Sequence, residues 1–132
     1  MNNKLTILTG KFNSEEEFLI LKKYPLKRED IKMYQEANYF QIYKLYYRSF
    51  FMGYVVLFLG YNSLLSSDIS IEDIGFLRNE EFLQPLLYQM LKKIKNMMNS
   101  DFYYNEAKFS SVYKEIFDSL GMNLLRMDIC RV

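Results

Sequence analysis

Apolar and polar positions alternate from Lys4 to Thr9, with Leu5 and Ile7 on one side, and this period of two predicts a short first strand. Ser14-Glu15-Glu16-Glu17 has the form of a capping box, in which Ser14 accepts from a helix amide and Glu17 reaches back. The helix it opens must end before Pro25, which cannot continue it. Arg28 to Asn38 reads as a second short helix with Ile31 and Tyr34 on one face. Phe40 to Phe51 is rich in Tyr, Phe and Ile and reads as a strand. Gly53 to Tyr61 is an unbroken apolar run, the pattern of a strand buried on both faces. Asn62 to Ser67 is turn-like. Ile69 to Leu77 is a further strand whose alternation changes phase near Asp73, as a bulge would make it do.

The strongest helical signal runs from Glu80 to Met98. Leu83, Leu87, Met90, Leu91, Ile94 and Met98 form one stripe, widened by Phe82, Leu86 and Met97. Glu80 and Glu81 at its start and Lys92, Lys93 and Lys95 toward its end suit the helix dipole. A short strand follows around Phe102-Tyr103-Tyr104. Ser110 to Leu120 reads as a helix that Gly121 stops, and Asn123 to Val132 as a closing strand. The order predicts a single α/β domain over residues 1–132: an α+β arrangement in which helices cover both faces of a mixed sheet.

Composition narrows the chemistry. With no histidine, the commonest general base and the commonest metal ligand are missing, and the lone Cys130 can form neither an internal disulfide nor a cysteine zinc site. No metal is therefore expected. A net charge of +1 offers no field for nucleic acid or an anionic membrane, and the 12 Tyr and 11 Phe read as packing residues. Phe50 to Leu65 carries almost no charge, but it is shorter than a spanning helix and is broken by Gly53, Gly60, Asn62 and Ser63. The start has no apolar core of signal-peptide length, and the cysteine usage fits a reducing cytoplasm.

Four stretches together resemble the GNAT (GCN5-related N-acetyltransferase) superfamily. Phe51-Met52-Gly53-Tyr54-Val55-Val56-Leu57 looks like its third strand, and Ile69 to Leu77 like its fourth, often bulged, strand. Glu80 to Met98 looks like the helix that follows, and Phe117-Asp118-Ser119-Leu120-Gly121-Met122 is similar to its late Tyr-x-x-Leu-Gly-Phe signature. The resemblance implies a GNAT-like central sheet and acetyl-CoA as the acyl donor, with its pyrophosphate on backbone amides between the fourth strand and that helix. The cofactor-binding residues it implies are Arg78, which matches the leading Gln/Arg of the phosphate loop, and the backbone of Phe82, Leu83 and Gln84.

This chain departs from the pattern at two places. Glu81 and Leu83 stand where the loop glycines belong, and Glu80 and Glu81 bring negative charge toward a pyrophosphate. Two like charges near contact cost about 1 kcal/mol even when well solvated. Phe117 stands where many members carry the tyrosine that protonates the leaving thiolate. Tyr113, one turn earlier, is a candidate acid, and Glu72 and Asp73 are candidate general bases if burial raises their affinity for a proton. The departures favour a divergent member with an altered acetyl-CoA loop, acting as a weak or non-catalytic binding module. Two further readings stay open: an active acyl-CoA-dependent N-acyltransferase on a small-molecule or protein amine, and an interaction subunit. In the last case Tyr43, Tyr46, Tyr47, Phe50 and Phe51 would form a surface for a homodimer or a larger assembly.

Overall fold

The computed structural model describes residues 5–13, 15, 17, 28–59, 69–76, 80–98 and 101–124. Among them are six strands: β1 (Leu5–Thr9), β2 (Phe40–Tyr47), β3 (Phe50–Phe58), β4 (Ile69–Phe76), β5 (Phe102–Tyr104) and β6 (Asn123–Leu124). The helices are α1 (Arg28–Glu36), α2 (Glu80–Met98) and α3 (Ser111–Ser119), with a 3-10 turn at Glu106–Lys108. The strands lie side by side in chain order. β1 to β4 pair antiparallel, whereas β4–β5 and β5–β6 pair parallel. Helices α2 and α3 supply the crossovers that parallel neighbours require.

The expected mixed sheet with helices on both faces is therefore present. One face packs Leu45, Val55, Leu57, Ile71 and Phe102 against Leu87, Met90, Leu91 and Ile94 of α2 and Ile116 and Phe117 of α3. The other sets Ile42, Phe51, Tyr54 and Val56 against Phe12 and Tyr34 of α1. Full burial of one such aliphatic side chain is worth roughly 1.5–3 kcal/mol, so its four anchors settle where α2 lies. Of the apolar run Gly53 to Tyr61, Gly53 to Leu57 is buried and Phe58 and Leu59 are partly so, and the strand starts earlier than expected, at Phe50.

Three local outcomes differ from or sharpen the sequence reading. The expected strand Phe40 to Phe51 is two strands, turning at Arg48-Ser49, with Tyr47 opposite Phe50. Both turn residues have positive φ, 51° and 72°, the conformation of a two-residue primed turn, yet neither is the Gly or Asn that usually marks one. The phase change near Asp73 is a bulge: Val56 faces Asp73 and Leu57 faces Ile71, which leaves Glu72 as the extra residue. Gly121 stops α3 with φ 75°, and Met122 N–H to Phe117 O (3.0 Å) with Gly121 N–H to Asp118 O (3.0 Å) completes a Schellman motif.

A buried charge cluster lies on the α1 face. Glu17 is 1% and Lys44 4% exposed. Lys44 Nζ donates to Glu17 Oε1 (3.2 Å) and to the Lys11 carbonyl (2.8 Å). The Asn13 amide (3.0 Å) and the Tyr46 hydroxyl also donate to the Glu17 carboxylate. Burial pushes Glu17 up, but the hydrogen bonds from Tyr46, Asn13 and Lys44 outweigh it and hold the carboxyl below its ordinary range. Glu17 is helical, but the rest of the helix predicted from Ser14 lies mostly outside the described residues. So do the turn Asn62 to Ser67, Arg78, Cys130 and the closing strand beyond Leu124. No helix among the described residues is long and apolar enough to cross a membrane.

Candidate functional site

β4 and β5 pair at only three positions, Ile69 with Phe102, Ser70 with Tyr103 and Ile71 with Tyr104. β5 then ends, while β4 runs on to Phe76. The β5-facing edge of β4 from Glu72 onward thus has no strand partner among the described residues. The bulge falls where this edge opens and turns two consecutive carboxylates to different surroundings. Glu72 reaches across to the turn after β5, where Lys108 Nζ lies 3.1 Å from its Oε2. Asp73 belongs to the α1 face, where the Tyr54 hydroxyl lies 3.4 Å from its Oδ2 and the Ile74 amide donates to its Oδ1 at 2.9 Å.

The two candidate bases therefore have different prospects. Glu72 is held in a partly exposed ion pair. Burial pushes Asp73 up to about 6, against the hydrogen bonds from Ile74 and Tyr54; Glu72 adds to the rise and Lys108 opposes it. A carboxyl titrating near neutrality at an open strand edge is suited to accept a proton in turnover.

On the face that α2 and α3 cover, these two helices border a cleft of 610 Å³ lined by Gln84, Pro85, Tyr88, Gln89, Glu115, Ile116 and Ser119. Gln84, a predicted binding residue, is exposed in its wall. Pro85 lies inside α2 and has no N–H, so the Glu81 carbonyl loses its usual helical donor. The backbone of Glu80 to Leu83 forms the first turn, whose amides have no intrahelical acceptor. The side chains of Phe82 and Leu83, and all of Arg78, lie outside the described residues.

Phe117 is fully buried, with its ring centroid 4.7 Å from that of Tyr104 and 5.1 Å from that of Phe109. Tyr113 packs edge-on against Phe109 at 5.9 Å and is half-buried at the rim of the core. A second phenol comes from β5: Tyr104, its last residue, is opposite Ile71 of β4 in the register and donates to Asp118 Oδ1 at 2.7 Å. Burial and that acidic acceptor push Tyr104 to about 12, so it keeps its proton. The structure thus brings Glu72, Asp73 and Tyr104 to the place where β4 and β5 part. It sets Tyr113 on α3, beside Phe109.

No family model matches the chain, and no curated protein matches it. Among solved structures, a Bacillus subtilis acetyltransferase in complex with CoA is similar with a TM-score of 0.61 and 17% identity, over 89% of this chain and 76% of that one. The chain has a GNAT-type fold. The order of elements singled out from Phe51 onward is the order that GNAT-type topology needs, and the similarity reaches into the first forty residues as well.

Sequence reading missed Tyr54, Lys108 and Tyr104 as neighbours of the site. Lys108 and Tyr104 come from the segment around β5, which is distant in sequence from the β4 acids. A signal for Tyr54 did exist in Gly75, an isolated glycine inside a strand, since such a residue often marks a close approach by another group. Among the described residues no group of three acids, histidines or cysteines could hold a metal.

Proposed function

We propose that this GNAT-type protein binds an acyl-CoA and transfers the acyl group to an amine, with Asp73 as general base. The observation that carries this reading is Asp73 itself: a carboxyl raised to about 6 on the strand that opens away from β5. The free strand edge and the cleft between α2 and α3 suit an extended thioester arm. The Gln84 side chain and the first-turn amides of α2 are the groups that would hold it. The fit is weakest at the pyrophosphate, because α2 starts without glycine and with two glutamates. Weak donor binding follows.

In the transfer, the amine nitrogen bonds to the acyl carbon, its proton passes to the Asp73 carboxylate, and the carbon–sulfur bond breaks. Phe117 has no proton to give, so the thiolate leaves as the anion and takes its proton from solvent. The acceptor is a small-molecule or protein amine. A second reading, a binding module without turnover, is favoured by the same two departures, the acidic start of α2 and the buried Phe117.

Titration calorimetry with CoA and acetyl-CoA, followed by mass-spectrometric detection of N-acylated products across an amine panel, separates the readings. Transfer is expected with wild type and is expected to fall roughly 10²–10⁴-fold in Asp73→Asn. Binding without product from any amine would leave the module reading, and no binding of either ligand would remove the transferase reading.

A further inference from the structure

We infer that Tyr54 is the positioning residue for Asp73, and that Gly75 is kept small so that the Tyr54 ring can cross β4 to reach it. The role in turnover rests on the acyltransferase reading; the contact does not. Tyr54 on β3 is opposite Gly75 on β4 in the strand register. A Cβ at Gly75 would lie 2.4 Å from Tyr54 Cε2 and 2.8 Å from its hydroxyl oxygen, closer than real Cβ atoms come. The absent side chain is therefore occupied by the tyrosine ring. Phe12 packs edge-on against that ring with centroids 5.5 Å apart, and Tyr54 is 1% exposed.

A ring confined in this way has its hydroxyl directed along β4 to Asp73 Oδ2, while Oδ1 is taken by the Ile74 amide. Each carboxylate oxygen thus has one donor. The charged groups acting on Asp73 are Glu72 beside it on β4 and Lys108 from the turn after β5. Tyr54 is the side-chain donor from β3, and its hydrogen bond favours the charged form. It moderates a proton affinity that burial alone would carry higher, and so keeps the carboxyl in a range where it can both take and release a proton.

The test is the Asp73 side-chain carbon titrated by NMR in Tyr54→Phe, which keeps the ring and its packing on Phe12, with Asp73→Asn to assign the signal. The Asp73 midpoint is expected to rise by about half a unit when a hydrogen bond to the charged form is lost. The acid limb of the rate–pH profile is expected to move with it. Gly75→Ala, which must push the ring aside, is expected to move the midpoint in the same direction. An unmoved midpoint in a folded Tyr54→Phe overturns the inference, whatever the activity. A midpoint that moves while the rate profile stays in place overturns Asp73 as the base, and with it the positioning role in turnover, while the contact stands.

Discussion

Asp73 and Glu17 show how the same side-chain type is set to opposite ends by its partners. Asp73 accepts from the Ile74 amide and Tyr54 beside a neighbouring acid, and burial wins; Glu17 accepts from Tyr46, Asn13 and the Lys44 cation, and they win. The consequences for stability have opposite sign. A folded Asp73 at about 6 holds a proton that the unfolded chain has already released, so this group makes stability fall as pH rises from roughly 4 to 6 and leaves it flat above. Asp73→Asn is expected to abolish that fall and to stabilise the protein at pH 7 by on the order of 3 kcal/mol, read by urea unfolding at several pH values. Loss of activity with gain of stability is the pattern of a residue retained for chemistry. Glu17 contributes stability above the unfolded carboxylate range, which is lost as pH falls through its lowered folded value. Lys44→Met leaves that carboxylate buried without its cation and is expected to cost about 3 kcal/mol in the same unfolding measurement.

Among the elements, the β2–β3 hairpin and α2 matter most to the site. The hairpin turn places Arg48 and Ser49 at positive φ, which costs most residues that carry a Cβ. Replacing the pair by Asn-Gly supplies the residues that favour this turn. The double substitution is expected to add roughly 0.5–1 kcal/mol, seen as a rise of a few degrees in Tm without change in ligand binding. Phe50 beside the turn is 68% exposed, Tyr43 and Phe51 are buried, and Tyr39, Phe40, Tyr46 and Tyr47 are partly buried. In α2 the apolar stripe is strong enough to be read from its spacing, and Leu87, Met90, Leu91 and Ile94 are indeed buried. Under the proposed function, its glutamate-led first turn is the element least suited to a pyrophosphate. Glu81→Gly is expected to tighten CoA binding several-fold in calorimetry by removing one of two like charges.

Over the protein as a unit, the opening that frames the candidate site arises because two neighbouring parallel strands differ in length. β5 stops after three residues and β4 does not, so the sheet opens past Ile71, while α2 and α3 border a cleft on one of its faces. Each component is anchored by burial on one face or the other, which lets an opening persist in a core that otherwise closes. Saturating acetyl-CoA is expected to raise Tm in proportion to the logarithm of its concentration over Kd, and a flat response to millimolar ligand would count against donor binding.

The period of the apolar residues was enough to specify α2, α3, the buried centre of β3 and the bulge in β4, because each depends on local spacing that survives without its neighbours. The glycine stop at Gly121 was readable for the same reason. The turn at Arg48-Ser49 was not, because cross-strand pairing imposes a conformation that those side chains do not advertise. Nor could spacing separate Glu72 from Asp73. One is matched by a lysine from the turn after β5 and the other is half-buried under Tyr54, and both facts depend on contacts between residues far apart in the chain. How strongly Asp73 holds its proton is a property of surroundings, and surroundings exist only once the sheet has formed.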